Sequence, residues 1–265
     1  MSVTTAHAPG TFCWLDLAAH DAEAARRFYT GLFGWEAADS KYGEGENDVY
    51  TTYNLDGSAA AASYPMDAAQ KQQGMPSAWL LYVSVESADE SARKARELGA
   101  TVMADPFDVM EHGRMALLQD PAGAVLALWE AKAHVGMRVR DVPGSFCWAE
   151  LATRDAGRAG AFYTGLFGWE GAPMEGPIPY TIFTRGGQQV AGMYTITPEM
   201  GEMPPSWAPY FAVADPDASA GRAKSLGAEV LMGPDDVPEV GRLYFLRDPQ
   251  GAHFYIITMV PTTRS

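Results

Sequence analysis

The sequence predicts an α+β protein of four βαβββ units forming two tandem domains, and three observations predict it. The stretch Phe28 to Glu36, Phe-Tyr-Thr-Gly-Leu-Phe-Gly-Trp-Glu, returns unchanged as Phe162 to Glu170. The same displacement carries Phe12-Cys13-Trp14 onto Phe146-Cys147-Trp148 and Asp21 onto Asp155, and a slightly shorter one carries Asp120-Pro121-Ala122-Gly123 onto Asp248-Pro249-Gln250-Gly251. Within each copy, a strand-helix start followed by hairpin signals occurs twice. Self-similarity on this scale identifies a duplicated domain, and each copy of ~130 residues is large enough for a core of its own. The expected boundaries are 1–133 and 142–265, with 134–141 as the linker inside a longer Ala131 to Ser145 stretch that carries Pro143-Gly144.

The elements follow in order. Thr11 to Leu17 suits a strand, and Asp21 caps a helix whose apolar positions Ala25, Phe28, Tyr29 and Leu32 fall at helical spacing until Gly34 ends it. Val49 to Leu55 and Ser58 to Tyr64 read as strands joined at Asp56-Gly57, a pair suited to the positive φ angles of a tight hairpin, and Gly186-Gly187 serves the second copy in the same way. Trp79 to Val85 is a second strand, followed by a helix with a Ser87/Glu90 capping box that closes near Leu98-Gly99. In the second copy Asp215-Pro216 supplies the corresponding cap. Thr101 to Met103, Arg114 to Gln119 and Val125 to Trp129 complete the first copy, the last two joined by the Asp-Pro-Ala-Gly turn. Thr262 to Ser265 is expected to be a frayed tail.

Composition narrows the partners. A formal charge of −14 and a pI near 4.7 oppose a phosphate backbone, and no Lys/Arg cluster reverses the field, so no nucleic-acid partner is expected. No apolar run is long enough to span a bilayer and Met1 to Gly10 lacks signal-peptide order, which predicts no membrane partner and a cytoplasmic location. Cys13 and Cys147 hold equivalent positions and are expected to be buried small residues rather than a disulfide or a zinc site.

Paired βαβββ units, a strand-Asp-helix start ending in Phe-Tyr-x-x-Leu-Phe-Gly-Trp, and a closing Asp-Pro-x-Gly turn resemble the vicinal oxygen chelate superfamily, which includes glyoxalase I, extradiol dioxygenases and bleomycin-resistance proteins. The layout is similar to actinobacterial two-domain glyoxalase-like proteins, often labelled hydroxylases, some of them associated with aromatic polyketide biosynthesis. The resemblance implies two tandem glyoxalase/bleomycin-resistance-like domains in which paired units wrap into a cup. In the enzymes it also implies a divalent metal held by inward side chains of the first and last strands of each unit. Those positions fall on Trp14, Ala62, Leu80 and Ala127 in the first copy and on Trp148, Gly192, Ala208 and Tyr255 in the second. Such a set lacks the His and carboxylate donors the metal needs, so the expectation is a cup without metal and without cofactor.

The expected function is therefore metal-free binding or sequestration of a small, largely apolar aromatic metabolite or antibiotic. Trp14 with Asp16 and Trp148 with Glu150 share strand faces and would offer an indole plane beside a carboxylate. Leu80, Tyr82, Ala127, Tyr210, His253 and Tyr255 are the further candidate ligand-binding residues. No catalytic residue is assigned. Trp14 and Trp148 could equally be core fillers, Tyr82 and Tyr210 packing residues and His253 structural. An enzyme of the same superfamily is the alternative, either a metal-dependent lyase or dioxygenase or a metal-free hydroxylase. A plugged scaffold is a third reading. Monomer and homodimer are both left open, as is whether each copy folds on itself or exchanges units with the other.

Overall fold

The computed structural model describes residues 4–45, 48–174 and 178–259. The first copy forms β1 (Phe12–Ala19), α1 (Ala22–Phe33), β2 (Glu36–Lys41), β3 (Val49–Leu55), β4 (Ser58–Pro65), the short α2 (Ala68–Gln72), β5 (Ala78–Ser84), α3 (Ala88–Glu97), β6 (Thr101–Val109), β7 (Gly113–Gln119) and β8 (Val125–Ala131). The second repeats it as β9 (Phe146–Thr153), α4 (Ala156–Phe167), β10 (Glu170–Met174), β11 (Tyr180–Arg185), β12 (Gln188–Thr195), β13 (Ser206–Ala212), α5 (Pro216–Ser225), β14 (Glu229–Val237), β15 (Gly241–Arg247) and β16 (His253–Met259). Each copy closes its own eight-stranded sheet, ordered β2-β3-β4-β1-β5-β8-β7-β6 and β10-β11-β12-β9-β13-β16-β15-β14. Each copy therefore folds on itself, and Trp14 faces the first copy's own strands.

Local chemistry explains the elements. Asp21, Asp155 and Asp215 accept from backbone N–H groups in the first turns of α1, α4 and α5, and Gly34 and Gly168 end α1 and α4 in the left-handed region. Ser87 accepts from Glu90 N at α3, whereas the complete capping box lies at α2, between Asp67 and Gln70. The strand after each first helix, β2 or β10, carries no alternation for a sequence reading to detect, because every residue of β10, and every residue of β2 except Ala37, is exposed.

One deviation from strand regularity aims the side chains. The β1/β5 register shifts between Phe12 and Trp14, and the β9/β13 register shifts beside Phe146, so Cys13 and Cys147 sit in bulges. The bulge turns Phe12 to the side of Leu15 and Leu17, toward the helices, while Trp14 and Asp16 face away from them. Both cysteines are buried and free, as expected.

The helix-bearing faces of the two sheets meet, and the opposite faces look outward. Phe12 packs on Phe146 at 6.3 Å and on Trp207 at 5.1 Å, and Phe33 packs on Phe211 at 4.8 Å. A Cβ added to Gly31 would stand 3.2 Å from Leu226, and one added to Gly165 would stand 3.0 Å from Leu98, so the glycine of each Phe-Tyr-Thr-Gly motif admits a leucine of the other copy. The Tyr29 hydroxyl donates to Asp248 at 2.9 Å and accepts from Trp79 Nε1, while Tyr163 donates to Asp120 at 2.7 Å and accepts from Trp207 Nε1. The motif is repeated because it is the seam.

The segment 134–141, expected as a linker, is a packed strap. Met137 N donates to the bulge carbonyl of Cys13, Arg138 N donates to Ala59 O, and Met137 and Val139 are buried. Among the described residues no helix is long and apolar enough to cross a membrane. The expected tail, Thr262 to Ser265, lies outside the described residues.

Candidate functional site

Register places the candidate residues on the outward faces. In the first copy Asp16 lies between Ala62 and Leu80, while Trp14, Tyr82, Ala127 and Leu117 form the adjacent row. In the second, Glu150 lies between Gly192 and Ala208, and Trp148, Tyr210, Tyr255 and Phe245 form the row. Side chains paired across strands share a face, so the structure brings Trp14, Asp16, Leu80, Tyr82 and Ala127 together, and likewise Trp148, Glu150, Tyr210 and Tyr255. His253, at the far end of β16, reaches the row through Phe245, whose ring it stacks on at 5.4 Å.

Each carboxyl is held by tyrosines. Trp14 Nε1 donates to Tyr50 Oη at 2.8 Å, and Tyr50 and Tyr82 both donate to Asp16 Oδ2 at 3.0 Å. In the second copy Trp148 Nε1 donates to Tyr180 Oη at 3.3 Å, Tyr180 donates to Glu150 Oε1 at 2.9 Å, and Tyr210 donates to Glu150 Oε2 at 2.7 Å. Burial pushes the Asp16 carboxyl up to about 7 against the opposing pull of the Tyr50 and Tyr82 hydroxyls, and raises Glu150 in the same sense. The extra methylene of Glu150 lets both its oxygens find a hydroxyl. The shorter Asp16 presents one oxygen to both tyrosines and leaves Oδ1 buried without a partner.

The indole and the carboxyl expected side by side are joined in each copy through a tyrosine hydroxyl. Trp14 is 3 % exposed and its ring meets the His134 imidazole edge-on at 4.6 Å. His134, assigned to the linker, thus belongs to the first cup. Burial, with the charges of His112, Arg138 and His7, lowers it to about 4, so the ring is neutral near pH 7, and its Nε2 is buried without a partner. Trp129 closes the same end, 5.8 Å from His134, and donates through Nε1 to the His134 carbonyl.

The cups differ most where Ala127 stands against Tyr255 and Leu117 against Phe245. Tyr255 stacks on Tyr210 at 4.1 Å with an interplanar angle of 7°, and Phe245 stacks on Tyr255 at 4.4 Å. The second cup is paved by its own rings. In the first, Tyr82 has an edge-on contact with Trp129 at 6.2 Å and no parallel ring among the described residues. Trp129, in place of Ile257, returns part of the lost volume at the strap end only. Leu80, Leu117 and Met115 remain half-buried along that face.

The donors do not fit a divalent metal. The positions aligned with the superfamily's ligands carry Trp, Ala, Leu, Gly and Tyr. Among the described residues no three His, Cys, Asp or Glu side chains gather closely enough to hold an ion. At Gly192 the space a longer side chain needs is taken: a Cβ there would lie 1.8 Å from Tyr180 Oη. A surface hollow of about 540 Å³ lined by Arg154, Pro198, Gly201, Glu202, Met203 and Pro204 includes neither carboxyl nor any tyrosine of these networks.

Sequence reasoning missed Tyr50, Tyr180 and His134. One signal was present: Tyr50 and Tyr180 precede the Asp56-Gly57 and Gly186-Gly187 turns by the same interval.

Comparison with known proteins agrees with this architecture. A mycobacterial protein named "Putative glyoxylase CFP32", from Mycobacterium bovis, is 38% identical over 254 residues, covering 95% of this chain and 96% of its own. The anthracycline biosynthesis protein DnrV of Streptomyces peucetius is 38% identical over 268 residues, covering 96% and 95%. The Mn(II)-bound glyoxalase of Novosphingobium aromaticivorans shares the fold with a TM-score of 0.65 at 14% identity, over 94% of this chain and 82% of that one. The family model matches residues 11–128 and again 133–256, and the chain belongs to the Glyoxalase/Bleomycin resistance protein/Dioxygenase superfamily.

Proposed function

We propose that the first cup binds a small, largely apolar planar aromatic molecule without a metal, and that the second cup is structural. The observation that carries this reading is the Tyr82/Ala127 pair set against Tyr210/Tyr255. The second copy demonstrates that a ring can lie parallel to this tyrosine, because Tyr255 does so at 4.1 Å. At the same register the first copy has a methyl group, flanked by half-buried Leu80 and Leu117. An aromatic ligand there gains offset stacking on Tyr82 and burial of apolar area. The name of the Streptomyces peucetius relative, an anthracycline biosynthesis protein, supports a planar polycyclic ligand. Holding such a molecule would serve as a biosynthetic accessory or as self-protection.

Titration with a planar aromatic, followed by tryptophan fluorescence, tests the reading. One site per chain is expected, with affinity lost on Ala127→Trp and retained on Tyr255→Ala. Equal loss in both variants, or two equivalent sites, would refute it.

A second reading, metal-free acid–base chemistry on the bound ring, is favoured by a carboxyl held near 7 between two phenol hydroxyls. Recovery of the ligand distinguishes the two. Binding returns it unchanged, whereas catalysis returns a product whose formation stops in Asp16→Asn.

A further inference from the structure

Among the described residues, two buried side-chain polar atoms have no hydrogen-bond partner, Asp16 Oδ1 and His134 Nε2. They come from distant parts of the chain, and both border Trp14. Asp16 reaches the indole through Tyr50, and His134 meets it ring to ring at 4.6 Å. An unpaired buried polar atom is costly because its desolvation is not repaid, and native proteins carry few of them. Two at one cup, in a protein that satisfies both oxygens of the equivalent carboxyl in the other copy, single out this place.

Resting on the binding reading above, we infer that Asp16 Oδ1 and His134 Nε2 are a pair of polar anchors, and that the ligand class is a planar aromatic bearing hydroxyl groups at separated ring positions. Oδ1 needs a donor. The neutral imidazole takes a donor or an acceptor according to tautomer, and a hydroxyl can serve as either. Asp16 Oδ2 is committed to Tyr50 and Tyr82, which fixes the carboxyl plane and the direction in which Oδ1 can accept. His134 rides on the strap, whose backbone is tied to Cys13 and Ala59, so one anchor belongs to the sheet and the other to the cover. A bare hydrocarbon ring would stack on Tyr82 but leave both atoms unpaired. A hydroxylated ring pairs them, and selectivity follows because a site with buried polar groups rejects ligands that cannot satisfy them.

The test compares 2,6-dihydroxyanthraquinone with 9,10-anthraquinone by fluorescence titration of the full chain. The parent is expected to favour the dihydroxy compound by about tenfold, the ratio for one further hydrogen bond made by a buried group. Asp16→Leu, an apolar side chain of similar shape, removes that anchor and should reduce the ratio severalfold. His134→Phe should reduce it separately. Thermal unfolding of each variant is recorded alongside, and the parent's ratio stands whether or not a variant folds. Equal affinity of the parent for both compounds overturns the anchor pair while leaving aromatic binding intact. Failure to bind either compound overturns the binding reading and the anchors together.

Discussion

The hydroxyl of Tyr29 and the carboxylate of Asp248 meet at 2.9 Å across 219 residues of sequence, and Tyr163 with Asp120 repeats the bond in the opposite sense. Each tyrosine also receives an indole N–H, and each aspartate turns its other oxygen to two backbone N–H groups of its own turn. Tyr29→Phe therefore strands Trp79 Nε1 and Asp248 Oδ2 in a buried seam. It should cost about 1–3 kcal/mol in urea unfolding, and Tyr163→Phe the same. A loss under ~0.5 kcal/mol in both would show that the crossed bonds do not hold the copies together.

The contribution of Asp16 to stability should fall as pH rises through the weakly acidic range, opposed by His134, whose lowered imidazole gives a slope of the other sign. The Asp16 carboxyl is held up to about 7 by burial, whereas in the unfolded chain it titrates near the ordinary 3.8. Between those values the folded protein keeps a proton that the unfolded chain has released, so the slope is negative, up to ~1.4 kcal/mol per pH unit, and flattens above. Asp16→Asn removes that contribution, and its stability relative to the parent should grow between about pH 4 and about pH 7. Glu150, raised in the same sense, and His134, lowered, leave residual slopes of opposite sign that both proteins share. A parent-to-variant difference that does not move with pH would contradict the assignment.

Gly192→Ala should destabilise the protein by about 1–3 kcal/mol, the range for overpacking, because the new methyl would meet Tyr180 Oη at 1.8 Å. Binding in the first cup should survive it. A neutral substitution would mean that Tyr180 gives way freely and that the second cup is looser than its ring stack implies.

Purified protein should carry no stoichiometric divalent metal, and a chelator should change neither its Tm nor its affinity for an aromatic ligand. The ground is the donor set, since the aligned positions offer no His or carboxylate. Elemental analysis is decisive: one zinc, nickel, iron or manganese per chain would require ligands beyond those considered.

Much of the fold could be read in the sequence, because the unchanged nonapeptide and the repeated turns pinned one copy onto the other. The reasons for the repetition could not. Tyr29 read as a helix core residue and Asp248 as a turn former, and both roles are real, but their hydrogen bond joins surfaces that no local pattern connects. At the site, strand alternation found Asp16, Tyr82, Glu150 and Tyr210. It did not reach Tyr50 and Tyr180, which arrive two strands away through a hairpin whose register carries a bulge. His134 was hidden for a different reason. The strap packs through backbone hydrogen bonds to Cys13 and Ala59, which a composition of Val, Gly, Met and Arg does not signal.

The bulged first strands, the glycines that admit a leucine and the crossed tyrosines preserve, inside one polypeptide, the twofold seam of a symmetric pair. Two identical chains joined by that seam would be obliged to present the same outward face twice, since any mutation would appear on both. Fusion removes the obligation. With the seam fixed, Ala127 can stand on one side and Tyr255 on the other, so either outward face can vary without loss of the scaffold.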